Sequence, residues 1–130
     1  MRPHGEFTVA LSTNVIETTL AGSFNEQGTL LYITAVKEKV AELKGKPFAM
    51  LIDDLALEGG TPEAYAVLND YVKWLNEQKI IARAFLIESE IQKEIILKRA
   101  PAFKKQNVNF FKDRESALDW LNQQFSSASI

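Results

Sequence analysis

The chain has 130 residues, of which 46% are hydrophobic and 25% are charged, and its formal net charge is −2. This length and composition are typical of one globular domain, and the absence of cysteine excludes disulfides, thiolate metal sites and cysteine nucleophiles. The small negative charge gives no general attraction for nucleic acid, and no apolar run is long enough for a membrane span. No apolar stretch follows the charged N-terminus, so we expect no signal peptide and a cytoplasmic protein.

The first part of the chain predicts a β-hairpin followed by a helix. Residues 7–11 and 15–21 are rich in Val, Ile, Thr and Phe, and a turn-forming Ser-Thr-Asn run separates them. Asn25 is suited to cap a helix over residues 26–43, which Gly45 then ends. The predicted buried stripe of this helix consists of Leu30, Ile33, Val36, Val40 and Leu43.

The segment FAMLIDDLAL, residues 48–57, forms the centre of the predicted sheet. Its first five residues are apolar without polar alternation, which is typical of a strand that is covered on both faces. We predict that the strand ends at Asp53 and Asp54. This would place both carboxylates at the carboxyl edge, where open α/β sheets carry their functional residues.

Helices and strands alternate after this central strand. The remaining elements are predicted as helix 62–78, strand 82–88, helix 90–99, strand 108–111 and helix 114–124. The short third helix is predicted to bury Ile91, Ile95 and Ile96. The complete order, ββαβαβαβα, predicts an α/β domain over 1–130, with an ordered core over 5–125 and a loose tail over 126–130. Its five-stranded sheet is mostly parallel and begins with an antiparallel hairpin.

The predicted sheet has two apolar faces, and both must be covered by other groups. If every crossover proceeds in the same direction, all four helices lie on one face. The opposite face then requires a helix that crosses over, a protein partner or an apolar ligand. The sequence leaves these three possibilities open.

Two segments resemble the SpoIIAA-like (STAS-like) family. They are Asp53-Asp54-Leu55 in the central strand and the closing run FKDRESALDWL at 111–121, and the resemblance in element order covers roughly residues 15–121. The resemblance implies a SpoIIAA-like fold and a non-enzymatic domain that acts through protein–protein interaction. The anti-sigma-factor antagonists of this family are switched by phosphorylation of a serine in an Asp-Ser-Ser/Thr-Gly motif. The corresponding residues here read LEGGTPE, so the resemblance is to the broader branch without this motif, which is also likened to lipid-binding CRAL-TRIO domains.

Six residues are candidates for interaction or regulation. Three are acids that could hold Mg²⁺, although their spacing matches no metal motif and carboxylates at strand ends often serve a turn instead. One is a threonine that either caps a helix or accepts a phosphate. Two are aromatic residues that belong either to the core edge or to a contact surface. In chain order the candidates are Asp53, Asp54, Glu58, Thr61, Tyr65 and Trp74.

The motif search favours a binding protein over an enzyme. The chain contains no GxGxxG, GxxxxGK[ST], HExxH or GxSxG motif, and its one histidine, His4, has no catalytic neighbours in sequence. We therefore expect no catalytic residues, no cofactor and no metal. The first hypothesis is a regulatory protein-interaction domain that forms a homodimer, and the alternative is a carrier or sensor of a lipid or another apolar small molecule. A metal-dependent enzyme built on Asp53, Asp54 and Glu58 is the third hypothesis.

Overall fold

A computed structural model describes residues 1–128 as a five-stranded sheet with helices on both faces. The strands are β1 (Glu6–Ser12), β2 (Val15–Phe24), β3 (Phe48–Gly60), β4 (Ile80–Leu86) and β5 (Val108–Phe111). The helices are α1 (Glu26–Glu42), α2 (Pro62–Asn76), α3 (Glu90–Arg99) and α4 (Arg114–Ala128), and a 3₁₀ helix spans Pro101–Lys105. The last helix thus extends three residues into the predicted tail, and residues 129–130 lie outside the described part.

The strands lie in the order β1-β2-β3-β4-β5, with β1 antiparallel to β2 and every other neighbouring pair parallel. The predicted α/β class, element order and N-terminal hairpin are therefore confirmed. Side-chain oxygens also cap the helices where the sequence predicted it. Asn25 accepts a hydrogen bond from the backbone N–H of Gly28, Thr61 from that of Ala64, and Ser89 from that of Gln92.

Strand β3 does not end at Asp53 and Asp54, and this prediction is wrong. The strand continues to Gly60 because β2 also continues, to Phe24, and supplies the backbone partners that residues 56–60 need. The two aspartates therefore lie inside a paired strand and point to opposite faces of the sheet. Asp53 is half-buried, whereas Asp54 is 3% exposed.

We call the face that carries α1, α2 and α3 the front and the face that carries α4 the back. The front core places large side chains of the sheet, such as Ile52 and Phe85, beneath Tyr32 and Tyr71. In the back core, α4 packs through Ala117 and Leu121, and the sheet contributes Ala49, Leu51, Ala82, Ala84 and Leu86. Of the three possibilities that the sequence left open, the chain uses the first: its last helix crosses over.

Helix α3 is less buried than predicted. Ile96 is 4% exposed, but Ile91 is 68% and Ile95 is 44% exposed. Positions 91 and 95 share one side of a helix, and position 96 lies about 100° further round. The side of α3 that carries Ile96 faces the core, so Ile91 and Ile95 remain on the surface. Leu30 of α1, predicted to be buried, is also exposed.

Candidate functional site

The six residues predicted from the sequence do not form one cluster. Asp53 and Asp54 point to opposite faces, so they do not converge on one ion, and Glu58 is exposed further along β3. Among residues 1–128 no group of three or more His, Cys, Asp or Glu side chains has an arrangement that could hold a metal ion. The metal hypothesis therefore has no geometric support from these acids.

The two aromatic candidates lie near opposite ends of α2. Trp74 stacks on Tyr71 with ring centroids 6.4 Å apart, and the ammonium group of Lys37 lies 4.7 Å from the Trp74 ring centroid. Tyr65 lies in the first turns of the helix, and the Arg99 guanidinium lies 5.7 Å from its ring centroid. Tyr65 is thus near the carboxyl edge of the sheet, whereas Trp74 lies far from it.

A cavity of about 50 Å³ lies inside the front layer. This volume accommodates a carboxylate-sized group or a few water molecules. Most of its wall is apolar, formed by Leu20, Ile52, Leu57, Leu68, Phe85, Ile96 and Phe103. The polar part of the wall consists of Asp54, Arg83, Tyr32, Tyr65 and Tyr71.

Arg83 is the unusual member of this wall. The side chain is 0% exposed, yet its Nε and both Nη atoms have no hydrogen-bond partner. Arg83 also takes part in none of the ion pairs among residues 1–128. The guanidinium carbon lies 4.9 Å from the centroid of the Phe103 ring. Burial lowers the pKa of Arg83 to about 10, so the guanidinium keeps its charge at neutral pH.

Asp54 lines the same cavity without neutralising Arg83. Its Oδ1 atom is buried and has no hydrogen-bond partner. Burial raises the pKa of the Asp54 carboxyl well above its ordinary value, and the nearby charge of Asp53 raises it further. These effects favour the protonated, neutral carboxyl. The front layer therefore contains a buried cation with no buried anion paired to it.

Neither of the buried tyrosines Tyr32 and Tyr71 forms a hydrogen bond with the guanidinium. The Tyr32 hydroxyl donates to Thr18 Oγ1 at 3.1 Å, and the Tyr71 hydroxyl donates to Met50 Sδ at 3.9 Å. Burial raises the pKa of both phenols, so both remain neutral at physiological pH. Neither tyrosine supplies the negative charge that Arg83 lacks.

A groove of about 280 Å³ lies at the carboxyl edge of the sheet, next to the cavity. Leu57, Tyr65 and Ile96 line both spaces, so these side chains form the wall between them. We call the exposed apolar side chains at the groove the apolar rim; they are Leu55, Ile91 and Ile95, which are 38%, 68% and 44% exposed. Two acids, Glu58 and Glu88, also line the groove.

The α3 helix is tied to the sheet beside this groove through Gln92. The Gln92 Nε2 group donates to the backbone oxygen of Asp54 at 2.8 Å, and its Oε1 atom accepts from the backbone N–H of Glu88 at 2.9 Å. The helix is ten residues long and buries one side chain, Ile96. Helix α3, which covers the cavity through Ile96, is therefore held to the rest of the domain by few buried contacts.

Comparison with known proteins decides the fold. No protein-family model matches the chain, and no curated protein matches it either. Among solved structures, the chain is similar to an uncharacterized DUF3478-family protein with a SpoIIAA-like fold from Shewanella loihica. The two have a TM-score of 0.69 and 20% sequence identity, over 93% of this chain and 96% of the other. The fold is SpoIIAA-like. This confirms the resemblance found in the sequence at the level of the fold.

Within this SpoIIAA-like fold, Thr61 acts as a helix cap. Its Oγ1 atom accepts from the backbone N–H of Ala64 at 3.1 Å, at the first turn of α2. Asp53 serves the backbone in a similar way, since its Oδ1 atom accepts from the N–H of Leu55 at 3.0 Å. The structural interpretation of both residues is thus supported by a specific hydrogen bond. Among residues 1–128, no helix is both long and apolar enough to cross a membrane.

Sequence reasoning missed Arg83, although the sequence contains a signal for it. The residue is the one charge in the run IIARAFLI, which is otherwise apolar on both faces of a strand. An arginine in the middle of such a strand must point into one of the two cores, where charged residues are rare unless they are paired. Asp54 carries the same signal at the end of the apolar run in β3.

Proposed function

We propose that this SpoIIAA-like domain is a non-enzymatic binding protein, a carrier or sensor that takes a small amphiphilic molecule under α3. One observation carries the proposal: an exposed apolar groove and a buried cavity meet across Leu57, Tyr65 and Ile96. Small-molecule sites are typically apolar, with a small number of polar groups that fix orientation, and they favour the carboxyl edge of open α/β sheets. Both features are present here.

The groove and the cavity have different parts in this proposal. The apolar rim contacts the hydrocarbon part of the ligand, and burying each partly exposed side chain of the rim favours binding by roughly 1 kcal/mol. The cavity is too small for a whole lipid, so it takes one end of the molecule. Access to it requires part of the shared wall to move aside, and Ile96 can do so because the α3 helix that carries it is sparsely packed.

The test is a binding titration of the full chain with two straight-chain probes, decanoate and 1-decanol, followed by calorimetry. We expect saturable binding of at least one probe with one molecule per chain. The double variant Ile91→Ser/Ile95→Ser should weaken binding about thirtyfold, because it removes two side chains of the apolar rim at roughly 1 kcal/mol each. Native mass spectrometry of freshly purified protein should also show a bound small molecule.

A matched control is available on α1. Leu30 and Leu31 are 47% and 51% exposed, and neither of them lines the groove. The double variant Leu30→Ser/Leu31→Ser should leave the affinity unchanged. Failure of both probes to bind, or an equal loss of affinity in this control, would contradict the proposal.

Self-association is a second candidate function, but the surface that would form the dimer is not the sheet face that the sequence suggested. An uncovered back face no longer supports it, because α4 packs there. The apolar rim is instead the surface that a homodimer would bury. Sedimentation velocity across the micromolar range tests this prediction. A dimer that dissociates in Ile91→Ser/Ile95→Ser would support it, and a monomer at every concentration would exclude it.

A further inference from the structure

We propose that the ligand carries a terminal carboxylate and that Arg83 binds this group inside the front cavity. This inference rests on the proposed function and adds the chemical class of the ligand. Its basis is geometric, because the Arg83 side chain lines the cavity and all three nitrogens of its fully buried guanidinium have no hydrogen-bond partner. Guanidinium and carboxylate groups form paired, charge-assisted hydrogen bonds, which are among the stronger hydrogen bonds in proteins.

The cavity contains no anion of its own that could replace this carboxylate. Asp54 is the acid in its wall, and it forms no ion pair with Arg83. The raised pKa of Asp54 favours its neutral form, which can donate one hydrogen bond to an incoming carboxylate. One ligand carboxylate can thus accept hydrogen bonds both from the neutral Asp54 carboxyl and from the unpaired Arg83 guanidinium.

Charge at the groove sets the direction in which the ligand lies. Glu58 and Glu88 line the outer groove and repel an anionic headgroup there. Arg83, at the inner end, attracts it in surroundings of low dielectric constant. The hydrocarbon chain then extends outward past Leu57 and Tyr65 to the apolar rim. The small cavity favours a carboxylate over a bulkier phosphate ester at the inner end.

The experiment compares decanoate with 1-decanol, which have the same chain length and differ in headgroup charge, at about pH 8, where the carboxylate is ionised. We expect the full chain to bind decanoate at least tenfold more tightly than decanol, as charge-assisted hydrogen bonds predict. Arg83→Met should abolish this preference while retaining decanol binding, which also shows that the variant is folded. Arg83→Lys should retain part of the preference, because it keeps the charge and loses the paired geometry.

Arg99→Met is the matched control. Arg99 is exposed near the groove, against the ring of Tyr65, and does not line the cavity. Its loss should leave the preference for decanoate within about twofold, because exposed charges act weakly through water.

Three results would overturn the inference. Equal binding of the two probes by the unmodified chain leaves the proposed function standing and rejects the carboxylate. An undiminished preference for decanoate in Arg83→Met means that a group other than Arg83 binds the carboxylate. Failure of both probes to bind rejects the proposed function together with the inference.

Discussion

Replacement of Arg83 by methionine should stabilise the ligand-free protein. Burial lowers the pKa of Arg83 from 12.5 to about 10, which at about 1.4 kcal/mol per pKa unit costs the folded state about 3 kcal/mol. Removing the guanidinium also removes its contact with the Phe103 ring, which contributes about 1 kcal/mol. Methionine fills a similar volume without an unpaired donor. We therefore expect Arg83→Met to raise the free energy of unfolding by about 2 kcal/mol.

Urea denaturation of extracted, ligand-free protein measures this difference directly. A gain of about 2 kcal/mol raises the denaturation midpoint by roughly 1 M urea with an unchanged slope. Arg114→Met is a suitable control, since Arg114 is exposed and pairs with Glu17 at 2.6 Å, and its loss should change stability by less than about 1 kcal/mol. A clear loss of stability in Arg83→Met would refute the reasoning, because it would show that the guanidinium is fully hydrogen-bonded in the empty protein. With decanoate at saturation, the stability difference should shrink by at least about 1.4 kcal/mol, because the unmodified chain is expected to bind decanoate at least tenfold more tightly than the variant does.

Three further predictions concern Asp54, Thr61 and Leu121. The folded state raises the pKa of Asp54 above its ordinary value of 3.8, so the folded state binds more protons in that range and stability falls as the pH rises through it. In urea titrations at several pH values, Asp54→Asn should therefore be more stable than the unmodified chain near neutral pH, and the difference should vanish below about pH 4; a difference independent of pH would contradict this. Thr61→Ala should cost about 1 kcal/mol by urea denaturation and Thr61→Ser much less, because the cap on the Ala64 N–H is lost only in the first; equal losses would exclude the cap. Leu121→Ala should cost about 3 kcal/mol in the same assay and leave the calorimetric affinity for decanoate unchanged, because Leu121 is buried in the back core; weaker binding would contradict that separation.

Local chemistry explains which parts of the fold could be predicted from the sequence. The bounds of α3 and β5 agree with the prediction because a serine cap and a proline delimit the helix and turn residues delimit the strand. The extension of β3 to Gly60 could not be predicted in this way. It depends on a backbone partner from β2, which is 35 or 36 residues earlier for each of the paired positions. Pairing at such separations leaves no mark in a local pattern.

Two residues of the cavity wall, Asp54 and Tyr65, were among the candidates predicted from the sequence, whereas Arg83 was not. Asp54 and Tyr65 were singled out for their position after an apolar strand and on a helix face, and the structure places both in the wall of one cavity. Arg83 comes from a different strand, and its importance depends on what surrounds it after folding. A charged residue in an apolar strand indicates that its side chain is buried. Only the tertiary structure shows that the Arg83 nitrogens have no hydrogen-bond partner.

The two faces of the sheet differ in a way that assigns binding to the front. Four of the seven buried back-core residues in the described part of the chain are alanines, and they let α4 approach the sheet closely; these are Ala49, Ala82, Ala84 and Ala117. The front core instead holds large aromatic rings, which leave space between them. Within residues 1–128, the buried charged side chains, Arg83 and Asp54, both lie on this front side. A protein selected for stability alone would fill the space and lose the charges, as Arg83→Met would do. The retention of an unpaired cation in the more loosely packed layer, next to an apolar entrance, is the feature that a stable but inert fold would not require.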